Sequence, residues 1–185
     1  MASAGAGANP FVASVTPAPQ AAPSQAAFRA EAAALTANLL SSAGVQGFQI
    51  VSEIPKELST FHSVWTAPGL VGGVFIDPSH QADENAATIT AHRARDCKGK
   101  FGVVKLPVTA DGASLKTICE TSPGKAEGET YLLLPRQGGV YVLTIFEVND
   151  GAPDNAPSTS AQTAGTNAEV TSGRLMEASI RVLGR

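Results

Sequence analysis

The stretch ETYLLLPRQGGVYVLTIFEV, residues 129–148, does most to limit what this chain can fold into. β-branched and aromatic side chains flank a Gly138-Gly139 pair, the pattern of two strands joined by a tight turn. Similar runs bounded by Gly, Pro and Asp predict strands over 47–53, 61–67, 70–76, 86–95, 100–106, 114–120, 129–134 and 139–148. Connections this short force antiparallel neighbours, because a parallel return needs a crossover of a dozen or more residues. The expected centre is an antiparallel β-meander.

Helical spacing frames it at both ends. Ser24 offers an N-cap, Phe28, Ala32, Leu35 and Leu39 recur on one face, and Gly44 stops the run, so residues 25–43 read as an amphipathic helix. Its polar face carries Arg29 as the only cation, too few for a membrane-surface helix, and the apolar face is expected to pack on the sheet. Leu175, Met176, Ile180 and Leu183 mark a second helix over 169–185. Residues 1–25, with Pro10, Pro17, Pro19 and Pro23, read as a flexible arm, and 149–168, with no large apolar side chain, as a disordered linker or loop. The fold class is therefore α+β, with one domain over 26–148 and a C-terminal helix expected to dock on it, a detached partner-binding helix being the alternative.

Only 16% of the residues are charged, against roughly 25% in an average soluble domain, and the net charge is -3. Nothing global attracts nucleic acid or an acidic membrane. No stretch is long and apolar enough to cross a bilayer as a helix. The N-terminus has no Lys or Arg before Arg29 and no unbroken apolar core, so it is not an intact secretory leader, and the remnant of a removed leader and a native cytosolic start look alike here. The compartment is left to the cysteines.

Cys97 and Cys119 are too far apart for a C-x-x-C redox pair, and two thiols with three scattered histidines make a poor structural zinc site. Two free buried thiols remain as the alternative to a structural disulfide, which would close a loop of about 23 residues worth roughly 3.4 kcal/mol. Both cysteines fall at the ends of strand-like segments. A tight Asp111-Gly112 turn would place residue 104, not 97, opposite Cys119. A bridge therefore requires a wide loop near Pro107 and Val108, or a bend at Gly99 that folds Cys97 back. The Cα atoms should then lie about 4.4 to 6.8 Å apart. A bridge implies maturation in an oxidising compartment.

Arg93, Arg95, Lys98, Lys100 and Lys105 stand against a single acid, Asp96, in HRARDCKGKFGVVK. Such charges discourage edge-to-edge aggregation, and they also form a patch for an acidic protein or envelope partner. Asp77, His80, Asp83 and Glu84 share a presumed loop without EF-hand spacing, so no metal is assigned. His62, His80 and His92 accompany no nucleophile elbow, zinc helix or phosphate loop, and GLVGG at 69–73 lacks the Lys and helix that a phosphate loop needs. No catalytic residue and no cofactor is assigned.

The expected function is a non-enzymatic periplasmic or secreted accessory module that binds another macromolecule, with a cytoplasmic protein as the alternative location. A second reading is a small-molecule binder whose cavity between sheet and helices is lined by Trp65 and Phe75.

Overall fold

The computed structural model describes residues 24–109, 112–123, 125–147 and 159–183. Helix α1 (Gln25–Ser42) leads into strands β1 (Gln49–Ile50), β2 (Ser63–Ala67) and β3 (Leu70–Asp77). Helix α2 (Ala82–Asp96) then precedes β4 (Lys100–Thr109), β5 (Gly112–Ser122), β6 (Lys125–Arg136) and β7 (Gly139–Glu147), and α3 (Thr159–Val182) closes the chain. The fold is α+β, with the N- and C-terminal helices on a seven-stranded, wholly antiparallel sheet.

The sheet order is β1-β2-β3-β7-β6-β5-β4, so the chain makes two meanders rather than one. It leaves the first at Asp77, crosses through α2 to the far edge, and returns inward until β7 pairs with β3 from Leu70↔Glu147 to Asp77↔Val140. Segment 86–95, expected as a strand, is the body of α2. The β-branched run Thr88-Ile89-Thr90 has a strand propensity, but stronger helix signals surround it. Gln81 and Glu84 form a capping box, Asp83 and Glu84 lie in the first turn, and Arg93 and Arg95 lie in the last, all favourable to the helix dipole.

Helix α1 is built as its spacing implies. Ser24 Oγ accepts from the Ala27 N–H, and the far end closes with Gly44 at φ 68°, while Gly44 and Val45 donate to the Ser41 and Leu40 carbonyls. Phe28, Ala32, Leu35 and Leu39 are all buried, and full burial is worth about 1.5 to 3 kcal/mol for a large side chain such as Leu39. They meet Trp65, Ile76, Leu132 and Leu143 together with Leu175 and Ala178 of α3, so both terminal helices cover one face. The other face packs Leu115, Tyr131, Leu133 and Val142 against Ala82, Ala86 and Ile89 of α2. Cover on both sides explains why Tyr131 to Leu134 form an unbroken buried run instead of alternating.

The arm expected over 1–25 lies, up to residue 23, outside the described residues, as do 148–158 of the expected linker. Residues 159–168 are helical, a correction to that linker. Once the docked C-terminal part of α3 forms a nucleus, adding turns of Ala, Thr and Gln costs little, and that gain does not depend on large apolar side chains.

Cys97 and Cys119 are joined by a disulfide with Cα atoms 5.6 Å apart. Cys97 is not at a strand end, as expected, but at the C-cap of α2. Phe101 stands opposite Cys119, and the chain between them bends at Gly99, where a Cβ would overlap the Glu120 carbonyl. Of the two routes to a bridge, the bend at Gly99 is the one used. The C-terminus of α2 is thereby stapled to β5.

Replacing Cys97 and Cys119 together by Ser is expected to lower stability by about 2 to 4 kcal/mol. Urea unfolding with and without reductant checks this, and identical midpoints for the variant and the oxidised protein would deny the bridge a stabilising role.

Candidate functional site

The basic segment is distributed by its secondary structure. Arg93 projects from α2 to pair with Glu129 of β6, and Glu129 also accepts from the Tyr131 hydroxyl. Burial and the Glu129 carboxylate both push the Tyr131 phenol up, so it remains a donor. Arg95 lies 3.5 Å from Asp96, which His92 also contacts at 2.9 Å. Lys98 sits in the turn after the helix. Lys100 and Lys105 belong to β4, five residues and about 17 Å apart along the strand, and they project from opposite faces. The structure therefore groups Arg95, Lys98 and Lys100 around the α2–β4 turn and leaves Lys105 farther along the edge. A shallow cleft of about 260 Å³ beside the turn is lined by Arg93, Asp96, Lys98, Phe101 and both cysteines.

Trp65 and Phe75 are not brought together. Trp65 is fully buried on the α1 face, directly opposite Gly72, whose missing side chain leaves room for the indole. Its Nε1 has no hydrogen-bond partner among the described residues. Phe75 points to the other face, beside α2. The glycines of GLVGG thus serve close packing, with Gly73 against the Phe61 ring as Gly72 is against Trp65.

Asp77 is committed to the turn that starts α2. Burial raises its carboxyl, but this is outweighed by hydrogen bonds from Ser79 N–H, the His80 ring, the Asn85 amide and His80 N–H, which hold it below the ordinary range. The His80 imidazole, hydrogen-bonded to Asp77 at 2.9 Å, is raised by the same contact. Glu84 turns back to the Gln81 N–H. Among the described residues no three His, Cys, Asp or Glu side chains gather as a metal-ligand group.

Two polar arrangements carry no distinctive local motif. Glu31 of α1 accepts a bidentate pair of bonds from Arg136, at 2.6 and 2.9 Å, and a third from the Tyr141 hydroxyl at 2.7 Å. The Arg136 bonds hold Glu31 low, while burial and Glu31 push the Tyr141 phenol up to about 12. Arg136 also stacks over Phe28 and Tyr141, so α1 is clamped to the β6–β7 hairpin.

The second is His62, which lies just before β2 and is only 8% exposed. β2 stops at Ser63, and beyond it the His62 ring takes over the sheet edge, its Nδ1 accepting from the Ile76 N–H at 3.0 Å. The ring is stacked on Phe75 and tilted against Phe28, each 5.3 Å between centroids. An accepting Nδ1 requires a neutral ring with its proton on Nε2. Burial depresses the imidazole pKa, and the charge of Arg29 lowers it further. His62, Arg29 and Ser63 line a cleft of about 510 Å³ between α1 and the segment 50–54. The sequence signal was only a histidine at the start of a strand, since the backbone bond to Ile76 is a tertiary contact.

No known protein family, no curated protein and no solved structure matches this chain.

The two histidines give opposite pH dependences. His62, depressed in the fold, contributes stability that is present above the unfolded pKa of about 6.5 and is lost as pH falls below it. His80, raised, contributes stability present below about 6.5 and lost as pH rises through its folded pKa. Urea midpoints at about pH 5.5 and 7.5 should therefore show His62→Gln, which keeps an acceptor for Ile76, losing less relative to wild type at the lower pH. His80→Ala should show the reverse, and pH-independent differences for both would remove the assignment.

Proposed function

We propose that this protein is a non-enzymatic accessory module of an oxidising extracytoplasmic compartment, periplasmic or secreted, that binds an extended acidic segment of a partner protein along the outer edge of β4. The observation that carries this reading is the asymmetry of the sheet's two edges. At one end β1 is two residues long, too short to template another strand. At the other, β4 runs for ten residues, and among the described residues nothing pairs with its outer side. Every second residue of an edge strand directs its N–H and C=O outward, where an added strand gains a ladder of hydrogen bonds.

The side chains along that edge suit a particular partner. Lys100, Gly102 and Val104 share one face of β4. Val104 is 47% exposed, and nothing lies within 4 Å of where a Gly102 side chain would be. Lys98 and Arg95 extend the positive charge around the turn. An incoming strand with a carboxylate on the face it shares with Lys100, and small apolar residues two and four positions along on that same face, meets the cation and then the open positions at Gly102 and Val104. The same lysines repel a second copy of this edge, so protection against self-association and selection of an acidic partner follow from one arrangement. The disulfide supports the oxidising compartment. Among the described residues no helix is long and apolar enough to cross a membrane.

A blocked fluorescent peptide that carries Glu, Val and Val at three successive same-face positions, two residues apart, is expected to bind the oxidised full chain. The affinity should fall at least about tenfold in Lys98→Glu/Lys100→Glu and with rising salt. Anisotropy titration measures both. Equal binding of a Lys-and-Val peptide, or an unchanged affinity in the double variant, would overturn the reading.

A further inference from the structure

The 510 Å³ cleft between α1 and the segment 50–54 lies far from β4 in the strand order, at the other end of the sheet. We propose that it is a binding site for a small ligand with a single carboxylate on an apolar body, the carboxylate recognised by Arg29 and by the Nε2–H of His62.

His62 supplies the first argument. Its Nδ1 is occupied by the Ile76 N–H, so the neutral ring presents a donor at Nε2, and that atom has no partner among the described residues. The residue is only 8% exposed, and it forms part of the cleft wall. A donor held in one tautomer by the sheet, and flanked by the Phe28 and Phe75 rings, is a preorganised hydrogen-bonding group. The other strand-edge function of the ring, accepting from Ile76, uses only one of its two nitrogens.

The second argument is charge. Arg29 lines the same cleft and is close enough to His62 to act on it electrostatically, and no ion pair engages it among the described residues. A guanidinium beside a neutral imidazole N–H is a donor set for a carboxylate. Ser63, also in the wall, is already hydrogen-bonded to Thr36 of α1 at 3.1 Å.

The remaining lining sets the ligand class. Ala33, Ile50 and Ile54 supply apolar wall, and Glu53 supplies one negative charge. A dianion such as phosphate would be repelled by Glu53, and a purely apolar molecule would leave both donors unused. A monocarboxylate with a hydrocarbon or aromatic body satisfies the donors and fills the apolar part. Among the described residues no nucleophile is hydrogen-bonded to His62, and the proposal is one of binding.

The test titrates the oxidised full chain with octanoate and benzoate, following backbone amides and the His62 ring nitrogens by NMR. The expected result is saturable shifts at residues 50–54 and at His62 Nε2 with Kd below about 1 mM. Arg29 is exposed on α1, so Arg29→Gln leaves the core untouched, and it should weaken binding about tenfold or more. Octanol and benzyl alcohol, which lack the charge, should weaken it similarly, and inorganic phosphate should produce no shift at these positions. His62→Gln supplies a second variant that keeps the Ile76 bond and should lose the Nε2 contribution. Absence of shifts at about 10 mM carboxylate, equal binding by Arg29→Gln, or equal binding of the alcohols would overturn the proposal.

Discussion

The eight-residue pairing of β3 with β7 is the contact on which the rest of the fold depends. It joins strands from opposite halves of the chain, and without it β1–β2–β3 and β4–β7 would be separate meanders. Its formation places β3, β7 and β6 in the middle of one sheet, with apolar side chains on both faces. A sheet buried on both sides needs cover on both sides, which is why α1 and α3 occupy one face and the crossover helix α2 occupies the other. The loop closed by this pairing is long, so the contact is costly in chain entropy and is repaid only when the two faces are covered.

The helices achieve that cover in different ways. Helix α1 buries a continuous apolar stripe and adds the Glu31–Arg136–Tyr141 clamp. Helix α2 has a thin apolar face of Ala82, Ala86 and Ile89, with Asn85 as its one buried residue, and it also carries polar and covalent ties. Asn85 reaches Asp77 at its start, Arg93 reaches Glu129 near its end, and Cys97 is bonded to Cys119 beyond it. The disulfide adds a covalent tie at the C-terminal end of this helix, next to the cationic turn that follows.

The two ends of the sheet are finished by different devices. Among the described residues nothing pairs with the outer edge of β4, which carries Lys100 and Lys105. At the other end β1 is short, and the imidazole of His62 replaces a strand by accepting the Ile76 N–H. A side chain doing the work of backbone leaves its second nitrogen unused by the sheet, and the cleft against α1 is where that nitrogen is available. The surface features that carry functional proposals thus both arise from how a finite sheet deals with its unpaired edges.

Much of this could be read from residue patterns. The spacing of Phe28, Ala32, Leu35 and Leu39 between Ser24 and Gly44 determined α1, and the β-branched runs around Gly138-Gly139 determined the final hairpin and the antiparallel character of the sheet. These are local properties, set by propensity, capping and turn chemistry within a few residues. Residues 86–95, expected as a strand, form α2 because the capping box and the charges matched to the helix dipole act at its ends, and α3 extends beyond the expected helix through turns that lack large apolar side chains. The disulfide was legible as a pairing, but its route through Gly99 was not, since that requires knowing that a helix end, and not a strand, carries Cys97. The order of the strands, the placing of Trp65 and Phe75 on opposite faces, and the union of His62 with Arg29 were decided only by tertiary structure. Each depends on contacts between segments far apart in the chain, whose energies exist only once the β3–β7 pairing has brought them within reach.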